Sequence, residues 1–231
     1  MKKKLKKIKL FYYLNDVSKL IFYNLKFKQK KLIFAQVPRC STTIIISLIK
    51  NNFKYLTNLE FPNHFFKPKF NKNCNYFISI RDPIERFVSA YYHLKNGQFI
   101  TYYDDFFSQF PTIEILAKEI FTKKAKSYIR FTHHLNENLE SFLSLEYLQK
   151  NMPIYIISHD NILQDTIDFL KLRLNQNIID TSHFKKSSIN TKKNDISLSE
   201  DARTNLKEFL KKDYEIYNYL IKEKKKVNYR Q

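Results

Sequence analysis

The chain has 231 residues, 43% of them hydrophobic, and carries 41 Lys+Arg against 22 Asp+Glu for a formal net charge of +19. That length supports one domain with a sizeable core, and the apolar share excludes an intrinsically disordered chain. Two cysteines, Cys40 and Cys74, are too few for a disulfide framework and point to a reducing, cytoplasmic compartment.

No apolar run reaches the roughly 18 residues that a membrane-spanning helix needs. The basic excess suits nucleic acid, anionic lipid, a polyanionic glycan or a nucleotide. It equally suits a solvated lysine face, in a chain rich in Lys, Asn, Ile, Phe and Tyr with one Gly and no Trp. Arginine discriminates better. Only seven basic residues are Arg, and three of them (Arg39, Arg81 and Arg86) fall at two strand–loop–helix junctions. Where Lys is the default, Arg signals a need for forked recognition of an anion.

Residues 1–30 form a basic, helical N-terminal segment. Asn15, Asp16 and Lys19 interrupt its apolar part, so a cleavable signal peptide is not expected. A helix packed on the domain is the simpler expectation; peripheral contact with an anionic membrane is the other. A single domain follows over 31–222, with a basic, frayed tail at 223–231.

Residues 31–37, KLIFAQV, read as a buried strand. PRCSTT at 38–43 is a tight, hydroxyl-rich loop, and Thr42 or Thr43 caps the helix that follows. Strand, tight loop and helix is the arrangement that wraps phosphate-like groups in backbone N–H donors. The loop lacks the G-x-x-x-x-G-K-[ST] pattern of a Walker A motif. Residues 51–75 contain Pro62, Pro68 and His64 and read as extended or loop.

The strongest pattern is 76–95, YFISIRDPIERFVSAYYHLK. Tyr76, Phe77, Ile78 and Ile80 make a short core strand. Asp82 is a good N-cap, Pro83 suits the first helical position and Glu85 completes a capping box. Ile84, Phe87, Val88 and Tyr91 share one helix face, leaving Ser89 off the stripe. Arg81 and Ser89 thus flank one helix N-terminus, where an anion is favoured.

Asn96-Gly97 reads as a C-cap or turn. Short helices are expected at 102–110 and 112–124, and a helical pattern at LESFLSLEYL within 130–151. Residues 153–158, PIYIIS, form another strand, and Asp160 caps the next helix. Residues 181–195 are a polar, basic loop. Ser197 and Glu200 form a capping box for a last helix running to about Lys222. Strands each followed by a helix imply an α/β fold: a three-layer α/β/α sandwich with a central parallel sheet. Ligands of such sheets bind at the carboxyl ends of the strands, which places Arg39, Arg81 and Ser89 near one crevice.

These motifs resemble a known family. PRCSTT resembles the phosphosulfate-binding loop P-K-x-G-x-T-[ST] of sulfotransferases. ISIRDPIERFVSAYYHLK resembles their R-D-P-x-x-R-x-x-S-x-Y motif for the nucleotide 3′-phosphate. ISHDNILQD and LSEDARTNLKEFLKKDYEIYNYL are similar to later segments of the membrane-associated carbohydrate branch, which includes heparan sulfate 2-O-sulfotransferases and bacterial relatives.

The resemblance implies a P-loop-like fold and PAPS (3′-phosphoadenosine 5′-phosphosulfate) as donor, with no metal. It also implies a glycan acceptor, such as a bacterial surface polysaccharide. Arg81 and Ser89 would hold the 3′-phosphate. Arg39, Cys40, Ser41, Thr42 and Thr43 would hold the 5′-phosphosulfate, and Lys185 and Lys186 would close over the nucleotide. His64 would be the base, with His134 as runner-up. Two positions depart from the family pattern: Arg39 stands where a proton-donating lysine is usual, and Ser41 where glycine is usual. An arginine supplies charge and hydrogen bonds but does not readily give up a proton.

The alternatives are a nucleotide-dependent kinase with an unusual phosphate loop and a non-catalytic binder of glycans or other polyanions. No RNP-like, KH or OB pattern supports nucleic acid. His133 and His134 lack the spacing and partners of a metal site.

Overall fold

The computed structural model describes residues 31–52, 59–61, 74–97, 103–132, 134–150, 152–174, 179–181 and 198–228. The N-terminal segment, His64, His133, Lys185, Lys186 and Ser197 lie outside the described residues.

Four strands form a parallel sheet in the order β2-β1-β3-β4. They are β1 (Lys31–Ala35), β2 (Leu59–Glu60), β3 (Cys74–Ile80) and β4 (Tyr155–Ser158). The helices are α1 (Thr42–Asn52), α2 (Pro83–Lys95), α3 (Asp104–Gln109), α4 (Ile113–Lys118), α5 (Lys123–Phe131), α6 (Leu139–Phe142), α7 (Leu145–Lys150), α8 (Ile162–Leu174), α9 (Glu200–Phe209) and α10 (Lys211–Asn228). A 3₁₀ turn, His159–Asn161, links β4 to α8.

Side-chain alternation along the strands builds a core on each face of the sheet. Phe34, Phe77, Tyr155 and Ile157 point to one face and pack on α1 and α8. There Phe34, Phe77 and Phe169 stack in series, with ring centroids 4.6 and 4.4 Å apart. Ala35, Ile78, Ile80 and Ile156 point to the other face, onto α6, α7 and α10. Helices on both faces are what a three-layer α/β/α arrangement requires. A third apolar cluster joins α2, α3, α4, α5 and α9 into a helical lobe. No helix among the described residues is long and apolar enough to cross a membrane.

Several boundaries differ from the sequence reading. The helix expected at 112–124 stops at Lys118, because Thr122 caps a new helix by accepting from the Ala125 N–H. The pattern over LESFLSLEYL divides into α6 and α7. Asp160 falls within the 3₁₀ turn rather than capping α8. The last helix is two, α9 and α10, and its N-cap is Ser199, which accepts from the Ala202 N–H. Gly97 follows the C-cap Asn96 without a left-handed φ; a Cβ there would lie 2.6 Å from the His93 carbonyl oxygen.

The basic tail is also corrected. α10 continues past Lys222 to Asn228, and Val227 and Asn228 are buried. The Asn228 amide donates to the Ile156 carbonyl and accepts from the Ile156 N–H, both at 2.9 Å. It thus closes hydrogen-bonding groups of β4, the last strand of the sheet order. Asn228→Ala would leave both Ile156 groups buried and unpaired. It should destabilise the protein by about 2–4 kcal/mol in urea unfolding; a change below about 0.5 kcal/mol would contradict this role.

Candidate functional site

Three strand ends meet at one crevice. The loop carrying Arg39 and Ser41 follows β1, Arg81 follows β3 directly, and His159 follows β4 directly. Strand register pairs Ile80 with Ser158, so Arg81 and His159 leave the sheet side by side.

The loop is closed by its own backbone. Cys40 N–H and Thr42 Oγ1 both donate to the Val37 carbonyl, at 3.3 and 3.1 Å. The Ser41 carbonyl accepts from the N–H groups of Ile44 and Ile45 and so starts α1. Thr42 and Thr43 therefore occupy the first turn, where backbone N–H groups lack intrahelical partners and favour an anion. Cys40 contributes backbone only. Its side chain is buried, and burial pushes the thiol up to about 11 against the opposing pull of Arg86 and Arg81. It is protonated and unreactive at neutral pH.

The loop reaches α2 through one side chain. Arg39 donates from Nε and Nη2 to Ser89 Oγ, at 3.3 and 3.0 Å, across 50 residues of sequence. The two motifs thus share one site. Arg81 donates from Nε to Glu85 Oε2 at 3.2 Å. Burial and then the Arg81 charge pull the Arg39 pKa below its ordinary value. Two guanidinium groups thus lie close enough to repel, and Arg81 is paired with Glu85 while Arg39 is held by a neutral hydroxyl.

The N-terminus of α2 is itself occupied. Asp82 Oδ1 accepts from the N–H groups of Ile84 and Glu85, at 2.9 and 3.1 Å, and Tyr214 donates to Asp82 as well. Asp82 thus takes the first free N–H groups of α2, which leaves the side chains of Arg39, Arg81 and Ser89 as the anion-directed groups on this side.

Arg86 serves the fold. It is fully buried and donates to the Glu137 carbonyl at 2.7 Å and to Asp213 at 3.5 Å. Asp213 also accepts from the N–H groups of Leu139 and Glu140, which binds α2, α6 and α10 together. His134 follows α5 and packs beside the C-terminal part of α2. Its Nδ1 is 3.0 Å from Glu137 Oε2, and its ring centroid is 5.5 Å from that of His93, four residues beyond Ser89. Its φ of 65° is left-handed.

His159 was missed by the sequence reading. Its Nδ1 shares a 2.5 Å hydrogen bond with Ser41 Oγ. Burial, then Arg81, hold the imidazole below the ordinary histidine range, with Glu85 and Asp160 pulling the other way. The signal was available, because His159 ends a strand as Arg81 does. No group of three His, Cys, Asp or Glu side chains among the described residues is arranged for a metal ion.

Arg39 and Ser41 adopt φ of 65° and 61°. Each left-handed non-glycine residue costs about 1 kcal/mol. At Ser41 the strain is offset by the bond to His159. Comparison with known protein families, curated proteins and solved structures finds no match. What the site offers chemically is two forked cations, Arg39 and Arg81, the hydroxyls of Ser41, Thr42, Thr43 and Ser89, and the N-terminus of α1. The left-handed φ at Ser41 makes a signed prediction. Ser41→Gly should be more stable than Ser41→Ala by about 1 kcal/mol in thermal or urea unfolding. An advantage for Ala, as in an ordinary helix, would refute the strained loop.

Proposed function

We propose that this chain is a sulfotransferase that moves a sulfuryl group from PAPS to a hydroxyl of a glycan. One observation carries the reading: Arg39 of the PRCSTT loop bonds to Ser89 of the second motif, so both resembling segments open onto one cationic crevice at the strand ends. A nucleotide with a 3′-phosphate and a 5′-phosphosulfate needs two adjoining anion sites. Arg81 with Ser89 supplies one. The loop backbone at 41–43 with Arg39 supplies the other. In the free protein Arg39 and Ser89 hold each other; a bound nucleotide replaces that bond with two to its own oxygens.

Sulfuryl transfer resembles phosphoryl transfer, where an in-line displacement is driven by positioning and by stabilising charge on the leaving group. Arg39 meets that charge. In this reading His64 takes the acceptor proton, and Lys185 and Lys186 cover the nucleotide.

Thermal unfolding with PAP, the product adenosine 3′,5′-bisphosphate, tests the reading. PAP should stabilise the protein without Mg²⁺, and Arg81→Ala should weaken PAP about 30-fold or more. Stabilisation by ATP with Mg²⁺ alone would favour a kinase. Salt-sensitive polyanion binding that survives Arg81→Ala would favour a non-catalytic binder.

A further inference from the structure

The proposed reaction leaves one difficulty open. The oxygen that departs with PAP gains charge, and a proton shared with it in the transition state lowers the barrier. The usual lysine is replaced by Arg39, whose guanidinium does not give one up. The structure holds a second titratable group beside the same loop.

His159 is fixed from behind. Ser158 donates from its N–H and its Oγ to Asp165 Oδ2, at 2.7 and 2.8 Å. Lys224 donates to Ser158 Oγ at 2.7 Å and to Asp165 Oδ2 at 2.5 Å. This buried cluster ties the end of β4 to α8 and α10, so the next residue leaves the sheet in a set direction. The His159 ring then reaches Ser41, whose left-handed φ sends its hydroxyl to Nδ1 rather than leaving a glycine there.

We propose that Ser41 and His159 form a proton relay to the leaving-group oxygen of the bound nucleotide. Ser41 is the catalytic residue, since it lies in the loop that holds the reacting end. His159 is a positioning residue that acts through Ser41. The inference rests on the sulfotransferase reading and adds a proton source to it.

The step balances. The acceptor oxygen forms a bond to sulfur while the bond from sulfur to the 5′-phosphate oxygen breaks. The electron pair stays on the phosphate oxygen, which takes the Ser41 hydroxyl proton. Ser41 Oγ takes the Nδ1 proton of the imidazolium, which ends neutral. The acceptor proton leaves to the base on the other side. In this light the two departures from the family pattern belong together: Arg39 removes a proton donor, and Ser41 with His159 supplies one.

The electrostatics make the relay responsive to its ligand. Arg81 faces the ring from the end of β3, Glu85 from α2, and Asp160 from the neighbouring position; Tyr217 of α10 faces Asp160 and Glu85. Without ligand, burial and Arg81 keep the imidazole neutral at pH 7. The 5′-phosphate dianion beside Ser41 sets negative charge next to the ring and favours the imidazolium, and the 3′-phosphate at Arg81 adds a smaller share by offsetting that guanidinium. The complex then binds more protons than the free protein. Affinity therefore rises as pH falls from the bound-state pKa towards the lower free-state pKa.

The test is PAP titration calorimetry at pH 7 in two buffers of different ionisation enthalpy, which reads protons exchanged on binding. The nucleotide's own phosphates ionise near pH 6 and release protons at a cationic site, so net uptake comes from the protein. The wild type should show net proton uptake, with a ceiling of about one proton per PAP for a single histidine. Adenosine 3′-monophosphate, which places a phosphate at Arg81 but none beside Ser41, should take up clearly fewer protons than PAP. His159→Asn keeps a polar partner for Ser41 but cannot titrate. It should bind PAP without uptake and lose the tightening that the wild type shows as pH falls, which for one proton is at most about tenfold per pH unit.

PAP binding without uptake in the wild type overturns the relay alone. So does uptake that persists in His159→Asn, or equal uptake with adenosine 3′-monophosphate. Failure of the wild type to bind PAP at all overturns the sulfotransferase reading, and the relay with it. The wild-type measurements stand even if the variant does not fold.

Discussion

The bond from Arg39 to Ser89 joins the loop after β1 to the flank of α2 and so brings the two motifs to one place. A guanidinium has five donors and no acceptor, so it seeks oxygen. Here it finds a neutral hydroxyl rather than a carboxylate, with Arg81 nearby and of the same sign. Such an arrangement is poorly compensated in the free protein. It is well compensated by an incoming anion. The exposed lysines say little by comparison, since a solvated ammonium needs no partner.

The crevice is held in place by polar groups that the core can bury only because they pair. Arg86 and Asp213 lock α2 to α6 and α10. Asp165 and Lys224 lock the end of β4 to α8 and α10. Asn228 closes both backbone groups of Ile156, two residues earlier in β4. Removing one member of a buried pair costs about 3–5 kcal/mol, because a charge is left without a partner. The C-terminal helix is thus a structural clamp that holds β4 through Lys224 and Asn228 and α2 through Asp213.

How much was legible depended on the range of the interaction. β3 and α2 were readable because their signals are local: a short β-branched run, then Asp82 as cap and Pro83 at N1. The helix breaks at Leu210 and after Lys118 were not, because the apolar period runs on across them and the break is set by packing and by the Thr122 cap. Arg86 looked like a third anion-binding arginine; its partner Asp213 lies 127 residues away, and no local pattern reveals that. The tail looked frayed for its lysines, while two residues among them, Val227 and Asn228, settle its position. His159 was missed although it ends a strand. A chain with one glycine also hides its left-handed turns: Arg39, Ser41 and His134 take that conformation instead.

The central claim is that Arg39, Arg81, Ser89 and residues 41–43 form a single site for a nucleotide bisphosphate. A crystal structure of the protein with PAP tests it most directly. The account predicts the 3′-phosphate between Arg81 and Ser89, the 5′-phosphate over the N-terminus of α1 beside Ser41, and the Arg39–Ser89 bond broken. PAP bound elsewhere, or bound with that bond intact, would contradict it.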